Sequence, residues 1–186
     1  MTKKIFCVIC LLFVFFANNA QTPPKREFRA AWLATYANID WPANGATTAL
    51  EQSTFIQRME EHRVTGMNAV FVQIRSQCDA MYPSPFEPWS ADLTGTQGLA
   101  PNPYYDPLEF MIDQTHARGM EFHAWLNLNR ATMSSRSLLS SEHVARKHPE
   151  WLLSYNGQLL FDFGIPAVRH YIAGLVRNII QNYDVD

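Results

Sequence analysis

Two stretches of this chain follow one plan, and that plan admits few folds. His62-Arg-Val-Thr-Gly66-Met67 leads into Asn68-Ala-Val-Phe-Val-Gln-Ile-Arg75, and His116-Ala-Arg-Gly119-Met120 leads into Glu121-Phe-His-Ala-Trp-Leu-Asn127. Basic residues suit the last turn of a helix, where they meet the negative end of its dipole. Glycine then takes the left-handed conformation that ends a helix without steric cost. Alternation along the strand that follows puts Phe122, Ala124 and Leu126 on one face, and His123, Trp125 and Asn127 on the other. In the earlier copy Val70, Val72 and Ile74 oppose Phe71, Gln73 and Arg75. One face of each strand is wholly apolar, as packing beneath helices requires. The other becomes polar toward the carboxyl end, where parallel α/β proteins place their sites. The joints lie roughly 50 residues apart, about one long βα unit of a barrel.

The rest of the chain fills in such units. Residues 29–35 read as a first strand, followed by a loop to Pro42 that contains Asp40. Thr47 or Thr48 can cap the first helix, with Phe55, Ile56, Met59 and Val64 turned inward. About 30 residues separate the second strand from the next helix, longer than an ordinary connection and therefore a candidate functional loop. It carries Asp79, Tyr82, Glu87 and Trp89 among stiffening prolines. Asp106-Pro107 opens the second helix, with Leu108, Met111, Ile112 and Thr115 facing the core. After the strand at 121–127, Ser140 or Ser141 can cap a short helix to about Lys147. Trp151 to Tyr155 and Gln158 to Phe161 then flank Asn156-Gly157, the signature of a tight hairpin. Asp162 either caps the last helix or points into the cleft. Pro166 starts that helix, and Val168, Ile172, Leu175, Val176, Ile179 and Ile180 recur at helical spacing.

Residues 1–20 read as a signal peptide, with Lys3 and Lys4 ahead of the apolar run Ile5 to Ala17 and cleavage after Ala20. That run is too short for a membrane span, so no integral membrane association is expected. Cys7 and Cys10 lie within it as bulk hydrophobes, and only Cys78 remains after processing. The expected organisation is therefore a signal peptide at 1–20, a linker at 21–27, and part of a barrel at 28–186, in a protein secreted to the periplasm or cell envelope. A length of 186 residues is short for a closed eight-stranded barrel of about 250. The next strand is expected to begin where the chain stops, at Asp184-Val185-Asp186. A net charge of -2 gives no basis for binding nucleic acid.

With these pieces placed, the chain resembles the amino-terminal part of the glycosyl-hydrolase-like 10 family of secreted bacterial proteins. The resemblance rests on Arg29-Ala-Ala-Trp-Leu-Ala-Thr35, Gly66-Met-Asn-Ala-Val-Phe-Val-Gln-Ile-Arg75, Asp79-Ala-Met-Tyr82-Pro-Ser84, Tyr105-Asp-Pro-Leu108, His116-Ala-Arg-Gly-Met120, His123-Ala-Trp125-Leu-Asn127 and Gly164-Ile-Pro-Ala-Val-Arg169. Two departures stand out: Leu128-Asn129 replaces an expected Pro-Tyr, and Phe163 replaces a proline. The resemblance implies a (β/α)8 TIM barrel, here its first three to four βα units. It also implies hydrolysis of glycosidic bonds in a bacterial glycan, in some members peptidoglycan strands freed of peptide. The family's acidic motif, similar to Gly-Ile-His-Phe-Asp-Asp-Tyr, would follow Asp186, so the chain by itself is expected to be inactive on glycans. The unpaired edges of the first and third strands and the apolar wall of Phe71 and Trp125 are expected to leave residues 21–186 poorly soluble or loosely packed.

Glycoside hydrolysis usually needs two carboxyl groups about 5 to 9.5 Å apart across the scissile bond. Only Asp40, Asp79 and Asp162 fall at predicted carboxyl ends of strands or in the loops over them, and none forms an evident pair. Asp79 and Asp162 are the catalytic candidates inside the chain. Arg75, Asn127 and Arg130 suit hydrogen bonding to sugar hydroxyls, a carboxylate or an acetamido group, or alternatively bracing of the loops. Asp79, Tyr82, His123 and Trp125 complete the expected substrate contacts, although His123 could equally be buried and satisfied. Asn127→Ala is expected to reduce turnover or affinity while leaving the melting temperature nearly unchanged. No histidine shows zinc spacing, and neither a metal nor any other cofactor is expected. A poly- or oligosaccharide is the expected partner. The rival reading is a secreted carbohydrate-binding or scaffolding domain without catalysis.

Overall fold

The computed structural model describes residues 27–134 and 138–186. The expected signal peptide, and all of the linker except Glu27, lie outside the described residues. Three strands, β1 (Ala30–Leu33), β2 (Ala69–Arg75) and β3 (Glu121–Leu126), form one sheet in the order β1-β2-β3. Both pairings are parallel, as the repeated joints require. Gly66 and Gly119, which end the helices before β2 and β3, both have positive φ, at 83° and 69°.

Helix α1 (Thr48–Val64) follows β1, the short α2 (Ala91–Thr94) lies in the loop after β2, and α3 (Pro107–His116) leads into β3. Thr47 caps α1, accepting the Leu50 N–H, and Asp106 caps α3, accepting from Leu108 and Glu109. Phe55, Met59, Leu108 and Met111 are buried with Val70, Val72, Ile74 and Phe122 in one core. Val64 is a correction: it is 65% exposed. It lies five residues beyond Met59, about 140° round the helix from the buried stripe. That stripe extends backward to Glu51 instead. Ile180 is likewise 63% exposed, because Ile179 occupies the inward position of α5 (Pro166–Asn182).

A second sheet follows β3 in the chain. Strands β4 (Arg130–Thr132), β5 (Leu152–Tyr155) and β6 (Gln158–Phe161) pair antiparallel in the order β4-β6-β5. Asn156 and Gly157 both take positive φ, which turns β5 into β6 with the twist a tight hairpin needs. β4 was not anticipated. The short helix α4 (Val144–Lys147) starts at His143, not at a serine: His143 Nδ1 accepts the Ala145 N–H at 3.1 Å. Cys78, Ala131, Val144, Phe161, Val168 and Ile172 form a second, smaller core here.

The amino ends of the parallel strands share a device. Asn68 accepts the Arg29 N–H on its side-chain oxygen at 2.8 Å, while its own N–H donates to the Arg29 carbonyl at 2.9 Å. Asp186 repeats this on β3: it accepts the Phe122 N–H at 2.8 Å and donates to the Phe122 carbonyl at 3.0 Å. Val185 packs against the main core beside it. Among the described residues no helix is long and apolar enough to cross a membrane.

Candidate functional site

The sheet face away from the helices is aromatic. Cross-strand neighbours Trp32, Phe71 and His123 line up in register. The Trp32 and Phe71 rings stack with centroids 4.6 Å apart, and Phe71 stacks on His123 at 4.7 Å. Trp125 meets Trp32 edge-on at 5.0 Å. Trp32 remains 62% exposed and Phe28 57%. Aromatic contacts of this geometry add to the area they bury.

Polar groups take over at the carboxyl ends. Gln73, buried, accepts the Thr35 and Tyr36 N–H groups on its amide oxygen, which ties the loop after β1 to β2. Asn127 is anchored to the end of β2 through its N–H on the Arg75 carbonyl and its Nδ2 on the Ser76 carbonyl. Its Oδ1 accepts the Trp125 indole N–H at 3.0 Å. The Arg130 guanidinium lies 6.0 Å from the Tyr36 ring centre, within cation–π range. Together Trp125, Asn127, Arg130 and Tyr36 make a partly exposed polar-aromatic rim where the strands end.

The expected substrate contacts divide into two groups. His123, Trp125, Asn127 and Arg130 keep some surface, and His123 lies 3.1 Å from the Glu121 carboxylate. Arg75, Asp79 and Tyr82 do not: each is buried, so direct contact with a substrate is closed to them in this arrangement. Arg75 has its donors committed to Glu87, Cys78 and the Asn127 carbonyl, which is the bracing alternative. Asp79 accepts from Ser76, Ser90 and Gln97, and burial pushes its carboxyl pKa upward, an effect those bonds only partly offset. Tyr82 packs edge-on against Tyr183 inside the core.

The other acidic candidates are engaged in separate turns, each with its own backbone partner. Asp162 accepts the Gly164 N–H at 2.8 Å and shapes the turn before α5, whose first residue follows an uncapped Ile165. Asp40 accepts the Ala34 N–H and closes the loop after β1. One group had not been singled out. Asp92, at the start of α2, reaches the Ala37 N–H, and its pKa is pushed up to about 6, first by burial and then by the nearby Asp79. Among the described residues no cluster of His, Cys, Asp or Glu suits a metal ion.

Residues 27–186 match the family described as Glycosyl hydrolase-like 10. The chain belongs to that family. Among its relatives is the glycosyl hydrolase YngK of Bacillus subtilis (strain 168), 46% identical over 174 residues, which covers 92% of this chain and 33% of that protein. The glycosyl hydrolase DigH of Escherichia coli (strain K12) is 34% identical over 180 residues, covering 87% and 40%. The chain thus spans about a third to two fifths of the length of these relatives. Its fold is similar to part of a maltogenic α-amylase, AmyB of Thermotoga neapolitana, with TM-score 0.55 and 15% identity over 86% of this chain and 37% of that one. The α-galactosidase AgaA of Geobacillus stearothermophilus gives TM-score 0.53 and 16% identity over 87% and 20%. At such identities the likeness is one of fold, a TIM-barrel-like α/β arrangement.

Proposed function

We propose that this chain is the amino-terminal part of a secreted glycoside hydrolase that cleaves a bacterial glycan, with peptide-free peptidoglycan strands as the first substrate to test. In this reading β1 to β3 are the first strands of an eight-stranded barrel, and later strands supply the catalytic carboxylates. The observation that carries it is the rim at the carboxyl end of β3. Trp125 and Asn127, hydrogen-bonded to each other, and Arg130, over the Tyr36 ring, offer an aromatic ring, an amide and a guanidinium, the groups that grip sugar faces and hydroxyls. Family membership supports the reaction class, and the seating of Asp186 along β3 supports a fourth strand at that edge. The aromatic face of Trp32, Phe71 and Trp125 then becomes the barrel interior.

The experiment is to express the chain and the full-length protein and to assay both on bare glycan strands and common polysaccharides. Hydrolysis by the full-length protein alone is the expected result, with Asp79→Asn and Asp162→Asn retaining it. Tight binding without cleavage by the full-length protein would favour the non-catalytic carbohydrate-binding domain instead. Cleavage by the short chain would return Asp79 and Asp162 to candidacy.

A further inference from the structure

The carboxyl end of β2 holds an ion pair with no exposed surface on either side. Arg75 meets Glu87 through two bonds, Nε to Oε2 at 2.8 Å and Nη2 to Oε1 at 2.6 Å. A fork of this kind fixes direction as well as distance. Arg75 Nη1 donates to the Asn127 carbonyl, and Nη2 also lies 2.9 Å from Cys78 Sγ. The Cys78 thiol in turn donates to the Arg130 carbonyl at 3.6 Å. From α5, the Tyr171 hydroxyl donates to Glu87 Oε1 at 3.0 Å. Burial pushes the Tyr171 and Cys78 pKa values upward, so both remain neutral donors.

A buried ion pair is a poor source of net stability, because desolvation offsets the attraction. Well-packed apolar side chains could fill this volume. They could not give the Asn127 and Arg130 carbonyls directional partners.

We propose that Arg75, held in place by Glu87 and Tyr171, is a positioning residue that sets the backbone of Asn127 and Arg130 and so aims their side chains at the sugar. This rests on the reading that those two side chains face the glycan, and it adds an outer helix to what shapes the rim. The route runs from the Tyr171 hydroxyl through Glu87 and Arg75 to Asn127, and ends on the Trp125 indole that Asn127 holds. That last bond supplies a reporter independent of activity.

Lysine at position 75 would keep the charge but presents a single ammonium, which cannot serve Glu87, Asn127 and Cys78 in one plane. The test uses the full-length protein with ¹⁵N-labelled tryptophan, as wild type, Arg75→Lys and Tyr171→Phe. The Trp125 indole resonance, assigned with Trp125→Phe, is read against that of Trp41, whose indole donates to Glu51 of α1. The Trp125 signal should move in both variants while Trp41 stays, and kcat/KM on glycan should fall about tenfold in Arg75→Lys and less in Tyr171→Phe. Uniform loss of melting temperature with an unmoved Trp125 signal in folded Arg75→Lys would overturn the proposal. Should that variant fail to fold, an unmoved signal in Tyr171→Phe overturns it equally. Asn127→Ala separates the two layers of the argument. If it leaves glycan affinity intact, the sugar-facing reading falls, and the functional half of this proposal with it, whereas the indole shift still decides whether Arg75 positions Asn127.

Discussion

The two ends of the parallel sheet are built on different principles. At the amino ends the same clamp is used twice: Asn68 on Arg29, just before β1, and Asp186 on Phe122 of β3 each return a side-chain oxygen and a backbone N–H to one residue. Each clamp is one side-chain bond and one backbone bond, joining residues far apart in the sequence. At the carboxyl ends nothing repeats. β1 is tied by the Gln73 amide, β2 by Arg75 and Glu87, and β3 by Asn127, each through a different side chain. Repetition suits register, which every strand needs alike. Individual networks suit a site, where each strand must present a different group, and this is the division that barrel enzymes show between their two faces.

The largest break in this comparison should come from Glu87→Ala. It leaves the Arg75 cation buried and unpaired, and losses of about 3–5 kcal/mol are typical of such cuts. Urea unfolding measures it, and a loss like that of a surface mutation would show the network to be dispensable. Asn68→Ala removes one clamp in a solvated setting, where a lost hydrogen bond costs about 1 kcal/mol. The expected outcome is a small fall in stability with glycan affinity untouched.

How much of this was legible in the sequence divides along the same line. The strands themselves are legible in glycine placement and alternation, because those signals act between near neighbours. The hairpin at Asn156-Gly157 was equally plain. Val64 and Ile180 fit an apolar count but not the angle of the buried stripe, so counting overreached. β4 was hidden because three residues, Arg130 to Thr132, carry no periodicity and owe their strand to a partner some 30 positions on. The cap of α4 was hidden because histidine is not a usual capping residue, and His143 works there only as a neutral acceptor. Arg75 stands out in the sequence at the end of β2, but its burial depends on Glu87, twelve residues later in an irregular loop that no local pattern ties to β2.

Titration should sharpen the contrast further. Asp92 belongs to the carboxyl-end loops and has its pKa raised from 3.8 to about 6. The folded state therefore holds its proton longer than the unfolded chain, and stability should decline as pH rises from about 4 to about 6. Asp92→Asn should remove that decline in melting temperature measured across the window. Asp186 at the amino end is shifted the other way: burial works to raise its pKa, but bonds from Phe122 and His116 prevail and lower it. Its contribution is present above the ordinary carboxylate range and is lost as pH falls through its depressed value, below the Asp92 window. Melting curves of Asp92→Asn and Asp186→Asn that responded in one shared pH range would contradict the separation.

Asn127 serves the rim and the scaffold together, since its amide also satisfies Trp125 and Ser76. Removing it should therefore lower stability by about 1–2 kcal/mol as well as affinity, rather than leave melting unchanged. Arg130 is the cleaner reporter, for its guanidinium lies over the Tyr36 ring and a cation–π contact there contributes less than about 1 kcal/mol. The decisive measurement is isothermal titration of glycan fragments against full-length Arg130→Ala, with melting recorded alongside. Binding should be at least about tenfold weaker, 1.4 kcal/mol in free energy, with the melting temperature nearly unmoved. Unchanged affinity would mean that the carboxyl end of this sheet does not meet the sugar.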